Sequence, residues 1–308
     1  MSRATSPSSH RVYGAASVCR IWGVARATLY RHRAASLAAA NDAGPLRRRG
    51  PLVACGDAEL LEAIRAVIEA SPFQGEGYRK IWARLRFKGI RTAPRRVRRI
   101  MKDHGLLAPH RAHPRSGHPH DGTIITDRVD QVWGTDMTQT ITTAEGRAYV
   151  FIAVDHCSGE FVGIHAAHGA SRWEALEPIR QGVTKHFGSL GQDTALGLIL
   201  RHDHGSNTMS NDFRMEIKFM GIASSPAFVR QPEGNGVAER AIRTLKEQLL
   251  RVRHFTTIED LRHTLAEFAA IYNATWLRQR HGRKTPNQIR AEQLGLESDP
   301  AAEQKMAA

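Results

Sequence analysis

Apolar and polar positions follow three regimes along the chain: helical spacing in the first hundred residues, strand-like runs in the middle, and helical spacing again at the end. Between Ala15 and Arg33, Val18, Ile21 and Trp22 share one helical face. Gly23 permits a turn, Val24 is expected buried in it, and Ala27 to His32 form a second short helix. This spacing predicts a helix-turn-helix, with Thr28, Arg31 and Arg33 placed to face a DNA groove. A second unit follows. Residues 57–70 set Leu60, Leu61, Ile64, Val67 and Ile68 at helical spacing behind Asp57 as N-cap. Tyr78, Ile81, Trp82 and Leu85 line a second helix ending at Gly89. A third, capped by Thr92 and stopped at Gly105, carries Val97, Ile100 and Met101 inward.

From Asp130 the period changes. QVWGTDMTQT alternates, RAYVFIAVDH is a near-continuous apolar run, and GEFVGIHAA follows after a short turn, which predicts an antiparallel meander of three strands. Residues 171–187 read as a helix capped by Ser171, despite Pro178 inside it. ALGLILRHDHGS is a fourth strand running into a polar end, Asn211 to Met220 is helical, and GIASSPA is a short strand. After a polar loop at 228–236, residues 236–255 predict one long amphipathic helix with Val237, Ala238, Ile242, Leu245, Leu249 and Val252 inward. Helices at 257–272 and 285–294 follow, started by Thr257 and by Thr285-Pro286. The order predicts an α/β domain with a mixed sheet, preceded by all-α helical units. The expected division is 1–52 (helix-turn-helix-like segment and linker), 53–108 (helical DNA-binding domain), 109–124 (linker), 125–252 (catalytic core) and 253–308 (C-terminal helical extension and tail).

Charge sharpens the picture of the first part. The net charge is +14, and residues 1–120 hold 23 lysines and arginines against 7 acids, so the remainder is nearly neutral. Such asymmetry points to a polyanion-binding module ahead of a neutral one. Arg95, Arg96, Arg98, Arg99 and Lys102 on the third helix are the candidate DNA contacts, mostly to phosphate. No apolar run approaches the roughly 18–20 residues of a membrane span. Three scattered cysteines form no disulfide framework, so a reducing cytoplasm is the expected compartment. His110, His113, His118 and His120 invite a zinc reading, which the absence of cysteines and the interrupting prolines disfavour.

Three acids carry the candidate chemistry. Asp136 and Asp203 are expected at strand ends, and Glu239 in the first turns of a helix beside the polar loop. Any one of them reads singly as a salt-bridge partner; three at the ends of elements of one sheet suggest a metal site. Cleaving or joining a phosphodiester needs a nucleophilic oxygen and neutralised charge on phosphorus, which two divalent ions about 3.5–4 Å apart supply. Mg²⁺ or Mn²⁺ take oxygen ligands, so carboxylates are the fitting donors.

WGTDMT, HDHGS and NGVAERAIRTLKE, with 35 residues between Asp203 and Glu239, resemble the Asp-Asp-Glu core of the retroviral-integrase superfamily of transposases. The chain is similar to bacterial insertion-sequence transposases of the second-reading-frame type, which share a GYRKIWARL…RVRRIMKDHGL pattern and a closing segment like IYNATWLRQRHGRKTPNQIRA. The resemblance runs from about residue 58 to 293. It implies a ribonuclease H-like fold with a five-stranded mixed sheet, and Asp136, Asp203 and Glu239 as ligands of two Mg²⁺ or Mn²⁺ ions. It also implies strand cleavage and transfer at the ends of a mobile element, with Asn235 and Lys246 near the site or the DNA. The implied partners are terminal inverted repeats, target DNA, further copies of the chain and the product of an upstream frame. Asn207-Thr208 and Glu233-Gly234-Asn235 depart from the family's Gln-Tyr and Pro-x-Asp-Asn patterns. A degenerate transposase-derived DNA-binding protein and a ribonuclease H-like nuclease are the competing readings.

Overall fold

The computed structural model describes residues 4–40, 55–109, 126–227 and 235–296. The chain divides into two compact units, Met1–Ala54 and Cys55–Ala308. The four histidines between 110 and 120 and the residues of the polar loop at 228–234 lie outside the described residues.

In the first unit, α1 (Ala15–Ile21) and α2 (Arg26–Ala40) meet at a turn where Gly23 adopts a positive φ of 62°. The expected hairpin forms, but around a different residue. Cys19 is buried, whereas Ile21, Trp22 and Val24 are exposed, and α2 runs well past His32 into the expected linker. A two-helix hairpin encloses too little volume for a large ring, so the small Cys19 side chain takes the interior position.

The second unit begins with three helices, α3 (Asp57–Glu69), α4 (Tyr78–Phe87) and α5 (Pro94–Asp103). Leu60, Ile64, Ile81, Leu85, Val97 and Met101 close around one another in a small core. The start signals are shifted from those expected. Gly56 and Ala93 are the N-caps, Pro94 sits in the first turn of α5, and Asp57 instead pairs with Arg96 and Arg99.

Five strands follow: β1 (Val132–Thr142), β2 (Gly146–Asp155), β3 (Phe161–Ala167), β4 (Ile199–His202) and β5 (Ala223–Pro226). Their order is β3-β2-β1-β4-β5, with β1–β3 antiparallel and β4 and β5 joined parallel to β1. This is the five-stranded mixed sheet of the expected ribonuclease H-like core. β2 is apolar on both faces because both are covered. Ala148, Val150, Ile152 and Val154 pack under α8 (Gly236–Leu245) and α9 (Ile258–Thr275), while Phe151 and Ala153 pack under α6 (Arg172–Phe187) and α7 (Asn211–Phe219).

Pro178 is buried inside α6, where its backbone meets β3. A Cβ on Gly163 would stand 1.8 Å from the Pro178 carbonyl oxygen, so glycine lets helix and strand approach there. The expected long helix at 236–255 is shorter. α8 gives way to a π-helical turn at Lys246–Leu250 and the helix stops, leaving Val252 half exposed. α10 (Pro286–Leu294) closes the fold behind a Thr285–Gln288 capping box.

The three N-terminal helices of this unit are docked on the sheet domain. Phe73, in the loop before α4, stands edge-on to Phe268, Tyr272 and Trp276 of the α9 region. Buried Glu76 accepts from Arg84, which also donates to the Thr275 carbonyl, and Lys80 lies over the Trp276 ring. Gln74 and Gln248 exchange a backbone–side-chain hydrogen-bond pair at 2.8 and 3.0 Å.

Candidate active site

The site is set by strand register. β1 and β4 run parallel with Val132, Trp133 and Gly134 opposite Ile199, Leu200 and Arg201. Two residues further on, the same register brings Asp136 level with Asp203. Asp136 lies within β1, opposite Ile152 of β2, and not at the strand end expected from the sequence. What ends there is its neighbour: β4 stops at His202, so Asp136 faces the space that strand vacates. A carboxylate is tolerated at this place because the sheet opens at the carboxyl end of β4, where ligands of open α/β sheets bind.

Asp136 and Asp203 line one cavity of about 50 Å³ with Thr135, Gly205, Asn207 and Thr208. Asp203 is exposed but held: its Oδ1 accepts from the Gly205 amide and the Thr208 hydroxyl, both at 3.1 Å. Thr208 also donates toward the Asp203 backbone carbonyl at 3.0 Å. In the sequence Thr208 reads only as the loss of an aromatic ring, yet its hydroxyl is what orients Asp203. A threonine five residues after an acid in a polar turn is the available signal. His202 is buried between the Asp203 carbonyl and Ser224 on β5, where burial pushes its imidazole pKa down.

Burial pushes the Asp136 carboxyl up to about 6; the Met137 amide, donating at 2.8 Å, opposes the rise. The negative charges of Asp203 and Glu239 push it further up, and the Lys246 ammonium pulls it back. All four groups therefore act on one locus. Glu239 is exposed in the first turn of α8, and Lys246 opens the π-helical turn. Among the described residues no three acids, histidines or cysteines close into a metal cage. The donor set nevertheless fits hard divalent cations: Asp136 and Asp203 offer oxygens only, in a pocket with an excess of negative charge.

Asn235 holds α8 against β1. It is buried, and its amide donates to the Thr135 carbonyl at 3.0 Å, one residue before Asp136. In this position it faces the protein interior and not solvent. The close approach depends on Gly134, where a Cβ would stand 2.7 Å from His156 Nε2 and 2.9 Å from Asn235 Oδ1. Gly134→Ala is expected to push α8 off the strand, costing about 1–3 kcal/mol of stability as an overpacked core does. Thermal unfolding checks that cost. An unchanged melting temperature would show that the two side chains yield without cost.

The other candidate contacts divide. Arg95, Arg98, Arg99 and Lys102 are exposed on α5, with Arg99 paired to Asp57 at 2.6 Å. Arg96 is turned inward, donating to Asp57 and the Cys55 carbonyl, so its guanidinium serves the helix packing. In the first unit Arg31 is exposed and Arg33 half-buried on α2.

Family models match in three places: an HTH-like domain over residues 56–114, and two integrase core domain models over 126–232 and 220–286. Transposase InsD for insertion element IS2A/D/F/H/I/K of Escherichia coli is 28% identical over 203 residues, 64% of this chain. Transposase InsD for insertion element IS2D of Escherichia coli (strain K12) matches to the same extent. The match spans 66% of each relative's length, just short of two thirds. Among solved structures, the simian T-cell lymphotropic virus intasome in complex with PP2A regulatory subunit B56 gamma aligns at TM-score 0.45 and 16% identity, over 71% of this chain and 72% of the other. The catalytic core domain of BIV integrase aligns at TM-score 0.39 and 20% identity, over 54% and 97%. The chain thus carries matches to an HTH-like domain and, after it, to integrase core domains, and insertion-element transposases are among the proteins it is similar to.

Proposed function

We propose that the chain is a DNA transposase that cleaves and transfers strands at the ends of a mobile element, with Asp136, Asp203 and Glu239 as its catalytic acids. The observation that carries this reading is the register that sets Asp136 level with Asp203 at the carboxyl end of β4, with the charge of Glu239 acting on the same point. Asp136 and Asp203 would hold Mg²⁺ or Mn²⁺ between them, and Glu239 would complete the ligand set. When bound, two such ions neutralise charge on the phosphorus centre and make an attacking oxygen nucleophilic.

The chain's own residues supply the rest. Thr208 and the Gly205 amide both donate to one oxygen of Asp203, which lines the pocket. Asn235 fixes the start of α8, and with it the origin of Glu239, against β1. Lys246 brings a positive charge to a site otherwise negative, which suits contact with a phosphate. Exposed arginines of α5 hold the DNA backbone while the carboxylates act. Two element ends must be joined in one reaction, so the working complex holds at least two copies of the chain on DNA. The upstream-frame product of second-reading-frame elements would supply further DNA contacts.

The test is a strand assay on duplex DNA taken from the borders of the gene, in Mg²⁺ and in EDTA. The expected result is nicking at the repeat end and joining of the freed 3′-hydroxyl to target DNA in Mg²⁺, with neither in EDTA. Binding of the ends with no nicking in either Mg²⁺ or Mn²⁺ would replace the proposal with a transposase-derived DNA-binding protein.

A further inference from the structure

The segment after α9 returns to the helical unit with a charge that the core does not use. Residues 278–284 form a small hairpin in which Arg278 and Lys284 pair across a turn. Gly282 and Arg283 both have left-handed φ, 64° and 70°. Glycine takes that conformation without cost, whereas arginine takes it under strain. The result is a guanidinium laid 5.3 Å from the centre of the Trp82 ring on α4.

It is not alone there. Arg86 lies 5.1 Å from the same ring, and Arg79 and Arg98 lie 5.7 and 5.9 Å from the Tyr78 ring. Two aromatic rings are thus bordered by four guanidinium groups from α4, α5 and the hairpin. None of the four forms an ion pair among the described residues, and the sequence has no acid from Gly77 to Lys102. Gathering four like charges costs free energy that no carboxylate among the described residues offsets. Burial and the charge of Arg79 both push the Arg283 guanidinium pKa down. Beside the group, Arg86, Arg91 and Thr92 line a hollow of about 270 Å³, ample for a phosphate group.

We propose that Arg79, Arg86, Arg98 and Arg283, seated on Tyr78 and Trp82, form one composite binding surface for the phosphate backbone of duplex DNA. The hairpin after α9 is part of that surface. The proposal rests on the reading of the chain as a transposase, and it adds a contact from the far end of the fold to those on α5. Aromatic faces hold the guanidinium planes in fixed directions, which lowers the entropy lost when each meets a phosphate. The helical unit and the hairpin keep their relative places through the Glu76–Arg84–Thr275 contacts and the Lys80–Trp276 stack.

Arg283→Asn tests it in the full-length protein. Asparagine accepts left-handed φ, so the variant is expected to melt at or above the wild-type temperature while losing the charge. Binding to a fluorescein-labelled duplex is followed by anisotropy across a salt series in EDTA. The slope of log affinity against log salt should fall by about 0.9, as for one lost phosphate contact, and affinity should drop alike for element-end and unrelated sequences. Arg283→Lys should keep the wild-type slope. If wild type binds with a steep slope and Arg283→Asn matches it, the hairpin is no part of the surface and this inference fails alone. If wild type shows no salt-dependent binding to duplex, the transposase reading fails with it.

Discussion

Asp136→Asn, Asp203→Asn and Glu239→Gln are each expected to reduce strand cleavage and transfer by at least about a thousandfold, roughly 4 kcal/mol of transition-state stabilisation, while specific end binding survives. The proposed end-binding contacts on α5 lie on other elements, and each change keeps the shape of the side chain. Asparagine at 203 still offers an Oδ1 to the Gly205 amide and the Thr208 hydroxyl, so the loop after β4 stays in place. Asp136 carries a further signature. Its folded pKa, about 6, lies above the ordinary 3.8, so ionisation disfavours the folded state, and stability is lost as pH rises through that window. Asp136→Asn should therefore be more stable than wild type at neutral pH in EDTA, on the order of 1 kcal/mol, and yet inactive. Chemical denaturation and a gel assay on a nicked-end substrate give the two readouts. Wild-type cleavage by any one of the three variants would remove that residue from the site.

Arg290→Met should destabilise the protein by about 3–5 kcal/mol, because it strands a buried charge. Arg290 projects from α10 into the sheet domain, where Nε donates to Glu160 at 2.5 Å and the two terminal nitrogens donate to Asp130 at 2.6 and 2.8 Å. Glu160 is 1% exposed and also meets Lys185 at 2.7 Å. Burial alone would push its carboxyl up, but the His186 contact and the charges of Arg290 and Lys185 hold it well below the ordinary value. That depression sets the sign of the pH dependence. A depressed carboxyl contributes fully above its unfolded pKa of about 4.5, and that contribution is lost as pH falls below it. Wild type should weaken on acidification through that range, whereas Arg290→Met should lose only part of this dependence, because His186 and Lys185 still face Glu160. Adding Glu160→Gln to Arg290→Met should recover part of the stability, since the buried carboxylate is then no longer left without its partner. Equal denaturation midpoints for wild type and Arg290→Met would mean that water replaces the guanidinium without cost.

The sheet is legible in the sequence because its cause is local. The apolar run of β2 and the Ser171, Thr257 and Thr285 caps are written in neighbouring residues, and each cap is present with its side chain accepting the expected amide. Asn273 shows where local reading ends. It stands in the closing segment that resembles the family's, but its work is to accept from and donate to the backbone of Phe161, 112 positions away. Arg290 escapes notice for the same reason: an arginine in a helix reads as surface until Asp130 and Glu160, distant in the chain, close on it. Asp136 is expected at a strand end because polarity resembles termination. In fact the strand continues and its neighbour stops, which no single segment reveals. Val252 is expected inward because the helical period does not register a π-helical turn, which rotates the residues after it out of phase. In the first unit, periodicity names the right hairpin but the wrong interior, since two short helices cannot hide a tryptophan.

The docking of Phe73 and Gln74 onto the sheet domain gives the molecule a ruler. On the proposed reading, DNA held on α4 and α5 would lie at a distance from Asp136 and Asp203 set by packed rings, the Glu76–Arg84 pair and the Gln74–Gln248 exchange. The span between them is not set by a tether. Gln248 belongs to the same π-helical turn that Lys246 opens, and the Lys246 charge reaches Asp136, so the gauge runs from the proposed DNA-holding face to the edge of the candidate active site through one short piece of chain. The number of base pairs between the grip and the cut is then a property of the fold.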